Sequence, residues 1–484
     1  MSIKRKGVGS SVLEGLDVTI NGDLETTSLL TTEESSSLSS KDALTKDDDL
    51  IEVRKRRYLV FMCGLCQALS YCDRINISVT ITEMSKELDW NLMEQSTVLA
   101  AFFWGYIWSQ IPGAYIAKRY GGHIVLCFAA VAWSASTLIV PPLAAYSSGY
   151  VVFGRFMLGI CEGCVFPVIY HLFADRIPVQ ERSRAIGFLN FGYFGGAIFS
   201  LVVSSVLMDR FHWSVVFYFF GILGLFWAVA WAFFSHYIDK IDFRATLCCN
   251  KSMAENVMQA RTPPSPEINS GLLGQFRTIV CHKVVFAIIY AHFCNNFGVY
   301  VIMSWLPTYF QETFHLGGSS LALTCVPYFV LGIGVTLVST TADRLITRGE
   351  YTLEFIRRTS STIGFLGAGT FMLLLATSSK FVSAIIYMCF ALAFNGASPM
   401  AGYEAAKLDV AAPEYVGRLQ SISNTIAAFA GIIGVPMVAY IKEATGTWEA
   451  VFVMMAGIFY SAAAVFFVFC HYKGKIVPGH VSTS

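Results

Sequence analysis

The chain has 484 residues, 55% of them hydrophobic and 14% charged, with a formal net charge of +1 and a mean hydropathy of +0.56. A soluble protein carries roughly 25% charged residues, so a soluble enzyme and a disordered scaffold are excluded. A net charge near zero gives no field for drawing in polyanions, which excludes a nucleic-acid binder. An all-α membrane protein remains.

In chain order, residues 1–57 form a polar head rich in Ser and Thr with charges of both signs. It has little to bury, and disorder is expected there. Glu25-Thr-Thr-Ser-Leu29-Leu30 in this head has the form of an acidic dileucine sorting signal, which clathrin adaptors read and which leads to endosomes and lysosomes. A pattern this short also arises by chance. The first apolar run begins too late for a secretory signal peptide and is expected to stay as a helix.

A membrane span needs about 20 mostly apolar residues. Runs of that kind lie near 58–81, 95–117, 123–142, 149–174, 184–208 and 213–235. After a polar stretch, others lie near 284–310, 321–341, 359–378, 381–403, 419–441 and 447–470. About twelve transmembrane helices are therefore expected, since only internally bonded helices cross lipid in this pattern. The expected organisation is a six-helix half over 58–238, a linker over 239–282, a second half over 283–471 and a tail over 472–484.

Lys and Arg cluster on one side of these spans. Arg54-Lys55-Arg56-Arg57 precedes the first, and Lys118-Arg119, Arg176, Arg182, Arg184, Arg344, Arg348, Arg357, Arg358 and Lys473 fall on the same side. The positive-inside rule places both termini in the cytosol. The 13 cysteines lie mostly in apolar runs without paired spacing. They read as small buried hydrophobes, and neither a disulfide nor a metal framework is expected.

Gly113-Ala-Tyr-Ile-Ala-Lys-Arg-Tyr-Gly121-Gly122 follows the second span, and Gly332-Ile-Gly334 with Thr341-Ala-Asp343-Arg344 closes the eighth. A glycine-bearing helix end and a charged turn thus recur at matching places in two six-helix halves. Parallel halves of this kind describe the major facilitator fold, with substrate bound near the midplane between them.

Ionisable residues inside spans cost about 2.5–3.5 kcal/mol each and call for a reason. Asp73 and Arg74 lie in the first span, and Arg155 and Glu162 in the fourth, seven residues apart and so on one helix face. One reading is internal ion pairing that locks the bundle. The other is a cavity in which Arg74 and Arg155 anchor an anion through their guanidinium forks and Glu162 carries a proton. His171 reads as a membrane-edge residue and Glu404–Lys407 as a cytosolic-edge ion pair. Asn295 and Tyr300 in the seventh span and Asn424 in the eleventh are further candidates for substrate binding, with helix–helix hydrogen bonding as the alternative.

Several stretches resemble a known family. They are Ala101-Phe-Phe-Trp-Gly-Tyr-Ile-Trp-Ser-Gln-Ile-Pro-Gly113, Gly154-Arg155-Phe-Met-Leu-Gly-Ile-Cys-Glu162-Gly163-Cys-Val-Phe-Pro167, Glu181-Arg182-Ser183-Arg184, Ser304-Trp-Leu-Pro-Thr-Tyr-Phe310 and Ser423-Asn424-Thr425. They are similar to signatures of the organic anion and phosphate symporter family, which includes sialin and the vesicular and plant phosphate transporters. The resemblance covers nearly all twelve spans but neither the head nor the linker. It implies alternating access, with Arg74, Arg155 and Glu162 at the family's substrate and coupling positions. The chain departs from the vesicular glutamate transporters at Asn295, Leu99 and Tyr170, where those proteins carry arginine, histidine and histidine. Glutamate is therefore not the expected substrate.

The expected function is secondary transport of a small organic anion or phosphate across an internal, endolysosomal membrane, coupled to protons; Golgi and plasma membranes are the alternatives. Three rivals stand beside it: a sodium-coupled phosphate carrier, a facilitator of neutral or cationic solutes in which Arg74 and Arg155 are only structural, and a non-transporting relative acting as receptor or partner subunit. No cofactor and no enzymatic activity are expected, because no metal-ligand cluster, phosphate-cradling loop or nucleophile constellation is present in the polar segments.

Overall fold

The computed structural model describes residues 24–237, 282–411 and 413–474. Residues 1–23 of the expected head and 239–281 of the expected linker lie outside the described residues. The chain forms α1 (Leu24–Glu87), α2 (Leu92–Tyr120), α3 (Gly122–Leu138) and α4 (Ser148–Arg176). It continues through α5 (Val179–Arg210), α6 (Ser214–Tyr237) and α7 (Lys283–Phe314). A 3-10 turn, Gly318–Cys325, leads into α8 (Val326–Arg348), followed by α9 (Leu353–Ala376) and α10 (Phe381–Val410). Finally come α11 (Pro413–Thr445) and α12 (Trp448–Phe469).

Among the described residues, nine helical segments are long and apolar enough to cross a membrane, and α3 is a shorter apolar helix. The segments outside the nine, α1 to α3, coincide with the first three expected spans. The first two carry an unusual polar load, including Gln67, Ser70, Asp73, Arg74 and Asn76 in α1 and Ser109 and Gln110 in α2, all of them buried. Polar side chains at this depth are tolerated because they face protein rather than lipid.

Helix α1 starts at Leu24, so its backbone takes in residues 24–57 of the head. Near the end of the head, Lys55 pairs with Glu52 one turn back at 3.0 Å, the local support an exposed helix draws on. Glu25, Leu29 and Leu30 fall on this helical backbone, and their side chains lie outside the described residues.

Proline interrupts α4 in the first half and α10 in the second. A proline has no N–H for the carbonyl four residues back. In α4, Pro167 frees the carbonyl of Gly163, and the helix breaks at Cys164, two residues after Glu162. In α10, Pro399 opens a π-helical turn, Pro399–Tyr403, in which Gly402 leaves helical geometry at φ −114° and ψ −114°. The freed backbone there is satisfied from α9: Ser361 Oγ donates to the Ser398 carbonyl (2.9 Å) and accepts from the Tyr403 N–H (2.9 Å).

Close approach fixes α2 against α4. A Cβ on Gly159 would overlap the Phe102 carbonyl oxygen, and one on Gly163 would overlap the Ser109 hydroxyl. These glycines, four apart, form the small-residue stripe that lets membrane helices touch through their backbones. Gly159→Leu is expected to force the pair apart and to lower the midpoint of thermal unfolding in detergent by several degrees. Overpacking of this kind costs about 1–3 kcal/mol; an unchanged midpoint would remove the role given to this contact.

The halves meet along α2 and α11, and again where α5 meets the 3-10 turn. Asn424 Nδ2 of α11 donates to Gln110 Oε1 of α2 at 2.5 Å. Away from that bond, Gln311 Nε2 of α7 donates to Glu83 Oε1 of α1 at 2.9 Å.

Candidate functional site

The site starts from the polar sequence of α1. Ser70, Asp73 and Arg74 recur at helical spacing, so they turn toward the same neighbours. Arg74 is 5% exposed, and its NH2 lies 3.5 Å from Glu162 Oε2 of α4. Ser70 Oγ donates to the same carboxylate oxygen at 2.9 Å. Glu162 Oε1 has no partner among the described residues, leaving one face of the carboxylate open to a proton or a donor.

Three rings enclose the Arg74 guanidinium. Its centre stands 4.5 Å from the Tyr71 ring, 4.4 Å from Phe102 and 4.9 Å from Tyr106. Tyr71 Oη also accepts a hydrogen bond from Arg74 NH1 at 3.1 Å. Aromatic faces hold a cation by their quadrupole while leaving its N–H edges free for an anion. The sequence reading gives none of these three rings a role in the site. Their spacing, Tyr71 three residues before Arg74 and Phe102 four before Tyr106, is the signal that could have found them.

Arg155 does something different. Its NH1 donates to the main-chain carbonyl of Asp73 at 2.9 Å and its NH2 to that of Arg74 at 3.3 Å. The fork clasps α1 at the two residues that bear the charges. Asp73 itself accepts from Thr137 of α3 at 3.1 Å. Arg155 therefore fastens α4 to α1 as well as lining the space between the halves.

That space is a narrow cavity walled by Arg74, Ile77, Ser78, Leu99, Phe102, Phe103 and Arg155 of the first half and by Met303 and Ser304 of the second. Its volume of about 10 Å³ suits about one water molecule. Leu99 gives the wall an apolar patch where the vesicular glutamate transporters carry a histidine.

Of the other expected site residues, Tyr300 packs its ring on Phe103 at 4.5 Å, accepts from Asn296 at 3.2 Å and is within electrostatic reach of Arg74. Asn295 is buried with its Oδ1 unpartnered among the described residues, and it is not part of the cavity wall. Asn424 is engaged with Gln110 across the seam. His171 pairs with Asp175 at 3.6 Å in a half-exposed position. Lys407 differs from the expected edge residue: it is 1% exposed and held inside the second half.

Comparison with known proteins agrees with this architecture. Residues 63–434 match the Major Facilitator Superfamily. The chain is 31% identical over 420 residues to the sodium-dependent phosphate transport protein 1, chloroplastic, of Arabidopsis thaliana, covering 86% of this chain and 80% of that protein. It is also 31% identical over 427 residues to the voltage-gated purine nucleotide uniporter SLC17A9 of Rattus norvegicus, covering 87% of this chain and 91% of that one. Among solved structures, a bacterial homologue of the human lysosomal transporter Spinster, in an inward-facing and unoccupied conformation, superposes with a TM-score of 0.68 at 16% identity. The match covers 86% of this chain and 97% of that one. These families and folds are those of transporters rather than enzymes. A polar first helix, paired six-helix halves and sequence likeness over most of the length lead to one conclusion: the chain belongs to the major facilitator superfamily, within its family of organic anion and phosphate transporters.

Proposed function

We propose that the protein carries a small organic anion or phosphate across an endolysosomal membrane by alternating access, together with a proton. The observation that carries this reading is the contact between Arg74 and Glu162, 3.5 Å apart at the edge of a cavity shared by both halves. An ionised Glu162 occupies the Arg74 guanidinium and competes with any anion for it. A protonated Glu162 releases it. Proton and anion then favour each other's binding, and the coupling is reciprocal.

Alternating access has support in the two bridges between halves. Gln110–Asn424 and Glu83–Gln311 each hold a different stretch of the seam, so an anion reaches Arg74 only when one of them parts. The orientation proposed, both termini cytosolic, rests on the basic cluster Arg54-Lys55-Arg56-Arg57. The endolysosomal location rests on Glu25, Leu29 and Leu30 as a signal for clathrin adaptors.

The test is uptake of radiolabelled phosphate and small carboxylates into proteoliposomes under an imposed pH gradient. At one proton per anion, each pH unit sustains about tenfold accumulation of a monovalent anion, the equivalent of about 1.36 kcal/mol. Glu162→Gln is expected to keep anion exchange while losing accumulation driven by the gradient. Uptake that ignores the gradient but stops when choline replaces sodium would establish the sodium-coupled alternative. Binding without any translocation would point to a receptor.

A further inference from the structure

A second group of buried charge lies where α7, α10 and α11 meet. Lys407 Nζ stands 2.6 Å from Glu404 Oε1 and 3.1 Å from His292 Nδ1. Ser423 Oγ is 2.7 Å from the same ring nitrogen, and His292 Nε2 is 3.5 Å from Glu404 Oε1. The Tyr403 ring lies 5.4 Å from the imidazole. Gln420 of α11 donates to Glu404, and Tyr170 of α4 is within electrostatic reach of that carboxylate. Lys407 and His292 are 1% and 6% exposed.

The hydrogen bonds assign a protonation state. An ammonium group donates and never accepts, so His292 Nδ1 offers its lone pair to Lys407 and the ring proton sits on Nε2, toward Glu404. A proton added at Nδ1 would set two donors and two positive charges 3.1 Å apart. With Lys407 moved away, the same imidazolium has both acceptors in place: Ser423 Oγ at Nδ1 and Glu404 at Nε2. The ring and the lysine thus exclude each other's full charge.

The element that holds Lys407 is hinged. Glu404–Val410 follows the π-helical turn at Pro399–Tyr403, where one serine hydroxyl supports the open backbone. Beyond Lys407, its other clamp is Asp409, which accepts from Arg357 of α9 at 2.9 Å and from Tyr472 at 3.1 Å. Ser423 is the neighbour of Asn424, whose amide crosses the seam to Gln110.

We propose that His292, Lys407 and Glu404 form a second proton site, separate from Glu162, that latches α10. Uptake of a proton at His292 Nδ1 expels the Lys407 ammonium and loosens Glu404–Lys407 about the Pro399–Tyr403 turn, while Arg357 and Tyr472 still hold Asp409. The unlatched conformation binds one more proton, so falling pH raises its population.

The test is hydrogen exchange on the purified full-length protein, following the peptide over 399–410 with correction for intrinsic rates. From about pH 7.5 to about pH 5.5, the range across which an imidazole charges, protection in this peptide is expected to fall about tenfold. His292→Gln keeps an acceptor for Lys407 and is expected to hold protection constant. If that variant does not fold, Lys407→Met removes the competing cation and is likewise expected to lose the pH response. Glu162→Gln is expected to retain it. A wild-type peptide equally protected at both pH values would overturn the proposal. So would an unaltered response in the folded His292 or Lys407 variant, or loss of the response in Glu162→Gln.

Discussion

Replacing Arg74 by alanine is expected to reduce anion uptake by at least about a hundredfold and to abolish protection by anions against thermal unfolding. The guanidinium lies inside a three-ring enclosure and is the cationic partner of Glu162. Removing it leaves Glu162 with Ser70 as its donor. Breaking a buried ion pair from one side costs about 3–5 kcal/mol, because the surviving charge stays in place without its partner. Arg74→Lys separates charge from shape. Lysine keeps the positive charge but loses the planar fork and its face-on contact with the rings, so partial uptake with a weaker apparent affinity is expected. Initial rates in proteoliposomes, read beside unfolding midpoints with and without anion, distinguish lost recognition from lost folding. Full uptake by the alanine variant would end the role given to Arg74.

The second large effect is on stability. Arg155→Ala is expected to lower the unfolding midpoint sharply, because α1 carbonyls that keep their helical donors lose two hydrogen bonds from a charged group, each worth about 1.5–3 kcal/mol. Those carbonyls belong to Asp73 and Arg74, so the damage falls on the segment that presents the site. Arg155→Lys retains one donor at best and is expected to lie between the two. Thermal unfolding of detergent-purified protein gives the ordering: wild type, then lysine, then alanine. An alanine variant as stable as wild type but inactive would show that Arg155 serves the substrate alone.

Much of this fold is legible in the sequence because lipid allows so few alternatives. Each expected span has its helix; the end agrees to within three residues at Lys118-Arg119, whereas α8 runs on to Arg348, past the expected end at 341. The polar α1 and α2 are the instructive cases. Their composition falls short of an ordinary span, yet they are central helices, buried on the sides that carry charge. Of the candidate site, Arg74, Arg155 and Glu162 are found together as their depth and spacing suggest. The division of labour between the arginines is not legible, because a main-chain carbonyl has no signature in a sequence. Nor is the burial of Lys407. It lies near the end of a span, where solvent is the ordinary expectation, and the π-helical turn at Pro399–Tyr403 redirects Glu404–Val410 into the bundle. Asn424 shows the limit of reading amides as ligands: its partner is Gln110, more than three hundred positions earlier in the chain.

The ionisable groups around the cavity have an electrical consequence. Asp73, Arg74, Arg155 and Glu162 sum to no formal charge when all four are ionised, so a carrier returning unloaded would move little net charge through the field of the membrane. The voltage sensitivity of a full cycle would then reside in the cargo. A monovalent anion with one proton crosses silently, whereas a divalent anion with one proton carries current.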